Sequence, residues 1–166
     1  KAFALNSERR LAAVMDKQGK ITIWSTATGT PVRKLSAAND VRAASLNGPM
    51  ILSDDGKLLA VGGTDGIVRV WNVTDGRKIF SLPLTDSAAS AAAMAKIPLR
   101  PNEWRQPPPP NSNTPARDIA FSPRGTMLLS KNLFSAIVWS MTTGERLAEF
   151  GSINYFRRNL FFADNE

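Results

Sequence analysis

The residues best suited by type to do chemistry in this 166-residue sequence are carboxylates. Asp54-Asp55-Gly56 suggests a cation loop, and Asp16, Asp65 and Asp164 are acids of the kind used in proton transfer. A hard-cation loop needs several more oxygen ligands at regular spacing, and no such series follows Asp55. Acid–base work needs two acids brought together in different environments, and nothing singles out a pair. The sequence has no histidine, which removes the usual general base and the commonest metal ligand. It has no cysteine either, so disulfides and thiolate metal sites are excluded. A Ser-His-Asp triad or a His-ligated zinc cannot be built from these residues. The expectation is a protein that is not an enzyme and uses no metal or cofactor.

Binding chemistry is better represented. Lys and Arg total 21 against 14 Asp and Glu, a net charge of +7. Such an excess suits nucleic acid, acidic proteins or anionic surfaces. The charges are scattered, with Arg9-Arg10 and Arg157-Arg158 the longest basic runs, so ordinary solubility explains them as well. No apolar stretch approaches the roughly 20 residues that cross a bilayer, and no membrane span is expected. The lack of cysteine leaves the compartment open, with an intracellular setting favoured.

These side chains must be carried by some scaffold, and the scaffold repeats. Three β-branched-rich segments end in tryptophan: 20–24, 67–71 and 135–139. In the first two, apolar and polar residues alternate, as a half-buried strand requires. Five residues after each tryptophan stands a glycine, Gly29, Gly76 or Gly144, in a turn cluster where positive φ is needed. Apolar residues follow three and six positions later: Val32 and Leu35, Ile79 and Leu82, Leu147 and Phe150. Upstream, serine-led turns at Ser7, Ser53 and Ser122 separate a short apolar strand from a longer one. Each unit therefore reads as four strands joined by tight turns, and the regular offsets argue against a chance all-β meander.

The run from Ser53 to Asn72, SDDGKLLAVGGTDGIVRVWN, closely resembles a WD40 repeat. The run from Asp118 to Gly125, DIAFSPRG, resembles the innermost strand and turn of another. The resemblance implies an all-β fold: a WD40-type β-propeller, partial at about 3.5 four-stranded blades, with a long Ala/Pro-rich insertion. Blades one and two occupy 1–82, the insertion 83–117, and the third blade with the start of a fourth 118–166. Ser25, Asn72 or Ser140 stands where the family has the aspartate after tryptophan. The Trp-Ser-His-Asp network typical of such blades lacks its histidine. Asp16 and Asp65 are read as turn aspartates, with Lys131-Asn132-Leu133-Phe134 taking that place in the third unit. After Phe150 a fourth unit is expected to begin, with Arg157 to Asp164 matching Arg9 to Asp16 in pattern, and it stops where its tryptophan strand should start. A ring of the usual kind needs more blades, supplied by a longer chain of its own, the favoured reading, by a second copy, or by another subunit.

Trp71 follows Trp24 by 47 positions, but Trp139 follows Trp71 by 68, and the excess falls between Leu82 and Asp118. Asp86 or Ser87 caps an expected short helix over 88–97, and Pro107 to Pro110 should be polyproline II. This stretch is either a ligand for an aromatic groove or a stiff spacer. Trp104 between Arg100 and Arg105 is either an exposed binding anchor or a contact holding the loop to the propeller edge. The resemblance implies a scaffold for protein–protein interaction or complex assembly, working through loops on one face. There Lys17, Arg42, Arg117 and Lys131 are expected to gather positive charge for an acidic protein partner. RNA binding by the same basic face is the alternative, although the dense basic and aromatic clusters of single-strand binders are missing.

Overall fold

A computed structural model describes residues 2–6, 8, 10–35, 46, 48–84, 114–133 and 135–151. Twelve strands form three four-stranded antiparallel sheets, each a simple meander. Blade one holds β1 (Ala2–Leu5), β2 (Leu11–Met15), β3 (Ile21–Ser25) and β4 (Pro31–Leu35). Blade two holds β5 (Met50–Leu52), β6 (Leu58–Gly62), β7 (Ile67–Asn72) and β8 (Lys78–Pro83). Blade three holds β9 (Asp118–Phe121), β10 (Met127–Lys131), β11 (Ser135–Ser140) and β12 (Arg146–Gly151). The expected helix over 88–97, the tetraproline and the fourth unit lie outside the described residues.

The innermost strands β1, β5 and β9 are neighbours in series, so the sheets stack face to face. Because strand side chains alternate between faces, the strands β5, β6 and β7 of blade two feed two cores. On β6, Leu59 and Val61 join the core shared with blade one, where Ala13, Met15, Ile21, Ile23 and Leu35 meet Trp71. Ala60, on the opposite face, joins the core shared with blade three, where Val68, Val70 and Leu82 meet Leu128, Ile137 and Trp139. Each such aliphatic side chain stabilises the stack by roughly 1.5–3 kcal/mol.

The turns explain the recurring glycines. After each tryptophan the chain reverses through Gly29, Gly76 or Gly144, with φ of 66°, 77° and 76°. The side chains of Ser25, Asn72 and Ser140 serve these turns: Asn72 Oδ1 accepts from the Thr74 amide at 2.8 Å, and Ser140 Oγ from Thr143 at 3.2 Å. A neutral oxygen thus does the work expected of an aspartate. The turn after each inner strand is led by Ser53 and Ser122, whose hydroxyls accept from the Leu58 and Met127 amides at 3.0 Å. In blade one the leader is Asn6 rather than Ser7: Leu11 N–H donates to Asn6 Oδ1 at 2.9 Å. Asparagine and serine both offer a short side-chain acceptor, which is why position alone had suggested the serine. The outer strands β4 and β8 are edges, and Pro31, Arg33, Lys34 and Lys78 are exposed along them, a composition that discourages further strand pairing.

The tryptophans show how the incomplete network has diverged. Trp139 Nε1 donates to Ser130 Oγ at 2.7 Å within the buried interface. Strand register puts Val61 and Val14 at the equivalent positions of blades two and one. Trp71 Nε1 is accordingly buried with no partner among the described residues. Replacing Ser130→Ala should orphan the Trp139 indole and cost about 1–3 kcal/mol. A urea midpoint equal to that of the wild-type protein would show that this bond adds nothing to stability.

Candidate functional site

At one end of the stack lie the turns joining second to third strands and the connections from each blade to the next. In blade one, Asp16 Oδ1 accepts from the Gln18 and Lys20 amides at 2.9 and 2.8 Å, closing the turn through Gly19. This folding of the acid back onto the backbone leaves Lys17 and Lys20 exposed. In blade three, Asn132 Oδ1 accepts from Ser135 N–H at 2.8 Å, and its amide nitrogen donates to Leu84 O at 3.3 Å.

The turn of blade two is built differently. Backbone bonding matches Asp16 and Asn132 with Gly63, not with Asp65, since Asp16, Gly63 and Asn132 N–H each donate to the first residue at or before the next strand. The equation of Asp16 with Asp65 is therefore corrected: both are turn residues and the two turns are equally long, but Asp65 stands where blade one has Gln18. Asp65 Oδ1 accepts from Ile67 N–H at 3.2 Å, and the carboxylate takes a two-pronged contact from Arg69, at 2.6 Å to Nη2 and 3.1 Å to Nη1. Burial pushes this carboxyl's pKa up, but the Arg69 hydrogen bonds and charge and the Ile67 amide outweigh it, holding the group below its ordinary value. Arg69 itself is only 5% exposed. Sequence reading missed this pair; the signal was an arginine at an inward strand position occupied by Thr22 and Ile137 in the other blades.

The expected cations divide into two groups. Lys17 and Arg117 are exposed, and Lys131 is half-buried at the end of β10 in register with Asp118. Arg117 N–H donates to Lys131 O at 2.8 Å, so these two lie side by side on blade three. Lys17 and the exposed Lys20, which sequence reading passed over, stand at the same end of blade one. Arg42, Arg100, Trp104 and Arg105 lie outside the described residues. Asp54 and Asp55 sit at the opposite end. There Asp55 accepts from the Ser53 hydroxyl at 2.7 Å and the Lys57 amide at 3.0 Å. Burial raises the Asp55 pKa, and these bonds with the nearby Lys57 ammonium more than reverse that. Its oxygens serve a turn, and among the described residues no group of three or more acids is placed to hold a metal.

Four-stranded meanders stacked through tryptophan, each followed by a positive-φ glycine turn, define a β-propeller of the WD40 type. Residues 29–72 match the family model described as WD domain, G-beta repeat. The apoptotic protease-activating factor 1 proteins of Rattus norvegicus and Homo sapiens are each 29% identical over 137 residues, covering 81% of this chain and 9% of theirs. Among solved structures, U3-55K superposes with a TM-score of 0.62 and the WD40 repeats of RRP9 with 0.63. Both are 16% identical, covering 91% of this chain and 38% of theirs, and they establish the fold. The chain thus spans well under half the length of these relatives and neighbours. The chain therefore has the WD40-type β-propeller fold and contains a segment, residues 29–72, that matches the WD repeat.

The Asp65–Arg69 pair gives stability a definite pH dependence. A carboxyl whose pKa is lowered by folding binds protons more readily when unfolded, so stability contributed above about pH 4 is lost as pH falls through the folded value. Asp65→Asn should flatten the acid limb of the stability curve. Urea midpoints of variant and wild type that fall in parallel from pH 6 to 3 would exclude the pair as a source.

Proposed function

We propose that this chain is part of a non-catalytic propeller scaffold that mediates protein–protein interaction and assembly. Its basic loop end receives an acidic protein segment. One asymmetry carries the reading. At that end Asp16 and Asp65 are engaged by backbone amides and by Arg69, whereas Lys17, Lys20 and Arg117 extend into solvent. The exposed cations Lys17, Lys20 and Arg117 thus outnumber the exposed acid Asp16, and complementary charge is what steers an acidic partner onto such a loop set. The insertion assigned to 83–117 departs at buried Leu84 and returns at buried Thr114 at this same end. Arg42, Arg100, Trp104 and Arg105, which lie outside the described residues, are proposed together with Lys17, Arg117 and Lys131 as the partner-binding set.

Assembly has its own surface. Phe3, Leu5, Val14 and Trp24 are exposed on one face of blade one, with Phe3 at 74% and Trp24 at 36%. Register makes Trp24 the counterpart of Trp71 and Trp139, which are 1% and 4% exposed between blades. A sheet stacked on that face is the covering the repeat calls for, from the remainder of a longer chain, a second copy or another subunit.

Replacing Lys17, Arg42, Arg117 and Lys131 together by alanine should weaken binding of an acidic polyglutamate peptide by roughly tenfold or more at low salt. Unchanged affinity would sink the acidic-partner reading, and a larger loss with single-stranded RNA than with peptide would transfer the face to nucleic acid. The 166-residue chain by itself should self-associate as concentration rises, and Phe3→Lys with Val14→Lys should suppress that in light scattering. A strictly monomeric wild-type chain would exclude a second copy as the covering of the blade-one face.

A further inference from the structure

We infer that the Gly63–Gly66 turn, locked by Asp65 and Arg69, is the positioning device that sets Arg117 and the connection between blades two and three at the basic end. The inference rests on the interaction role proposed for that end. Three chain passages converge on this turn and the residue before it. Gly48 N–H donates to Gly62 O at 3.1 Å as the chain enters blade two. Leu84 N–H donates to Gly66 O at 2.8 Å as it leaves. Ala116 N–H donates to Gly63 O at 3.0 Å as it enters blade three, and the next residue is Arg117. The two ends of the 85–113 stretch are therefore fixed to carbonyls three residues apart.

The turn is shaped to hold them. A Cβ on Gly63 would run into Asp65 Oδ1 and Arg69 Nη1, and one on Gly62 would collide with the Ala116 side chain. Gly66, at φ 73°, brings its carbonyl round to Leu84. The two-pronged Arg69 contact then restrains Asp65, whose Oδ1 also takes the Ile67 amide. Leu84, Thr114 and Ala116 are all buried against this arrangement. Asn132 adds a second grip on Leu84 from blade three.

Arg69 is not required by the blade as such. Thr22 and Ile137 fill its position in blades one and three, where the same four-stranded sheet forms without it. A buried guanidinium carries a desolvation cost that an apolar residue would avoid. That cost is offset by a benefit specific to blade two, and what distinguishes blade two is that both ends of the long connection hang from its turn.

Amide hydrogen exchange of the whole protein tests this directly, because it needs no partner. Arg69→Met and Asp65→Asn should each lower protection at the Leu84, Ala116 and Arg117 amides by about tenfold or more. Protection along β10 and β11 should stay within a factor of two or so, and Arg69→Lys should restore part of the loss. Unchanged protection at the three amides would overturn the inference. So would a uniform fall across all three blades, which would make the pair a general stabiliser. Should Arg69→Met fail to fold, Asp65→Asn and acidification of the wild type read the same three amides. Polyglutamate affinity of the Lys17, Arg42, Arg117 and Lys131 alanine variant, measured alongside, separates the two claims: lost protection in Arg69→Met with unchanged affinity in the alanine variant leaves the anchor standing and removes the acidic-partner role.

Discussion

A sheet that is apolar on both faces cannot be satisfied by itself, and this requirement governs the molecule. Blade two meets it on both sides: Leu59, Val61 and Trp71 face one neighbour, Ala60, Val68 and Val70 the other. The strands are β-branched because such side chains fill the space between stacked pleated sheets. The tight turns keep each sheet to four strands, and the repeat exists because each unit must present the same pair of faces as its neighbours. Trp24 shows the requirement in negative, being a residue designed for burial that meets solvent where no described sheet covers it.

Within that constraint the blades have become individuals. Blade three keeps an indole–hydroxyl bond from Trp139 to Ser130, blade two gives it up at Val61 and invests instead in Arg69 and Asp65, and blade one relies on Asp16 alone to close its turn. Loss of the histidine therefore did not leave three equally weakened blades. Polar order is concentrated at one turn of the middle blade, where three chain passages meet. Side-chain ion pairing is found at this turn, while the tryptophan faces of blades one and two rely chiefly on packing.

Most of the fold was legible because its signals are local and repeated. Tryptophan followed five residues later by glycine marks the third strand and the hairpin after it, and alternation locates the neighbouring strands to within a residue or two. What escaped was which position within a turn each polar residue occupies. Asp65 looks like Asp16 by chemistry, yet strand register pairs Asp16 with Gly63, and Asn6 takes the role that spacing gave to Ser7. The Asp65–Arg69 contact was hidden because an arginine on an alternating strand reads as a solvent-facing residue until its partner is known. The site was legible only as a charge tendency. Lys17 and Arg117 could be assigned to one end from topology, but which acids are already occupied depends on hydrogen bonds that spacing does not encode.

The oxygens that close the three outer hairpins have a consequence of their own. Ser25, Asn72 and Ser140 accept turn amides through hydroxyl or carboxamide groups, which have no proton to gain in the acid range. An aspartate there would lose acceptor strength on protonation and release its hairpin. The outer rim of this propeller is thus insulated from acidity, while the turn gathering the interblade passages depends on an ionised carboxylate. As protons accumulate, the periphery should keep its shape after the loop-bearing end has begun to loosen.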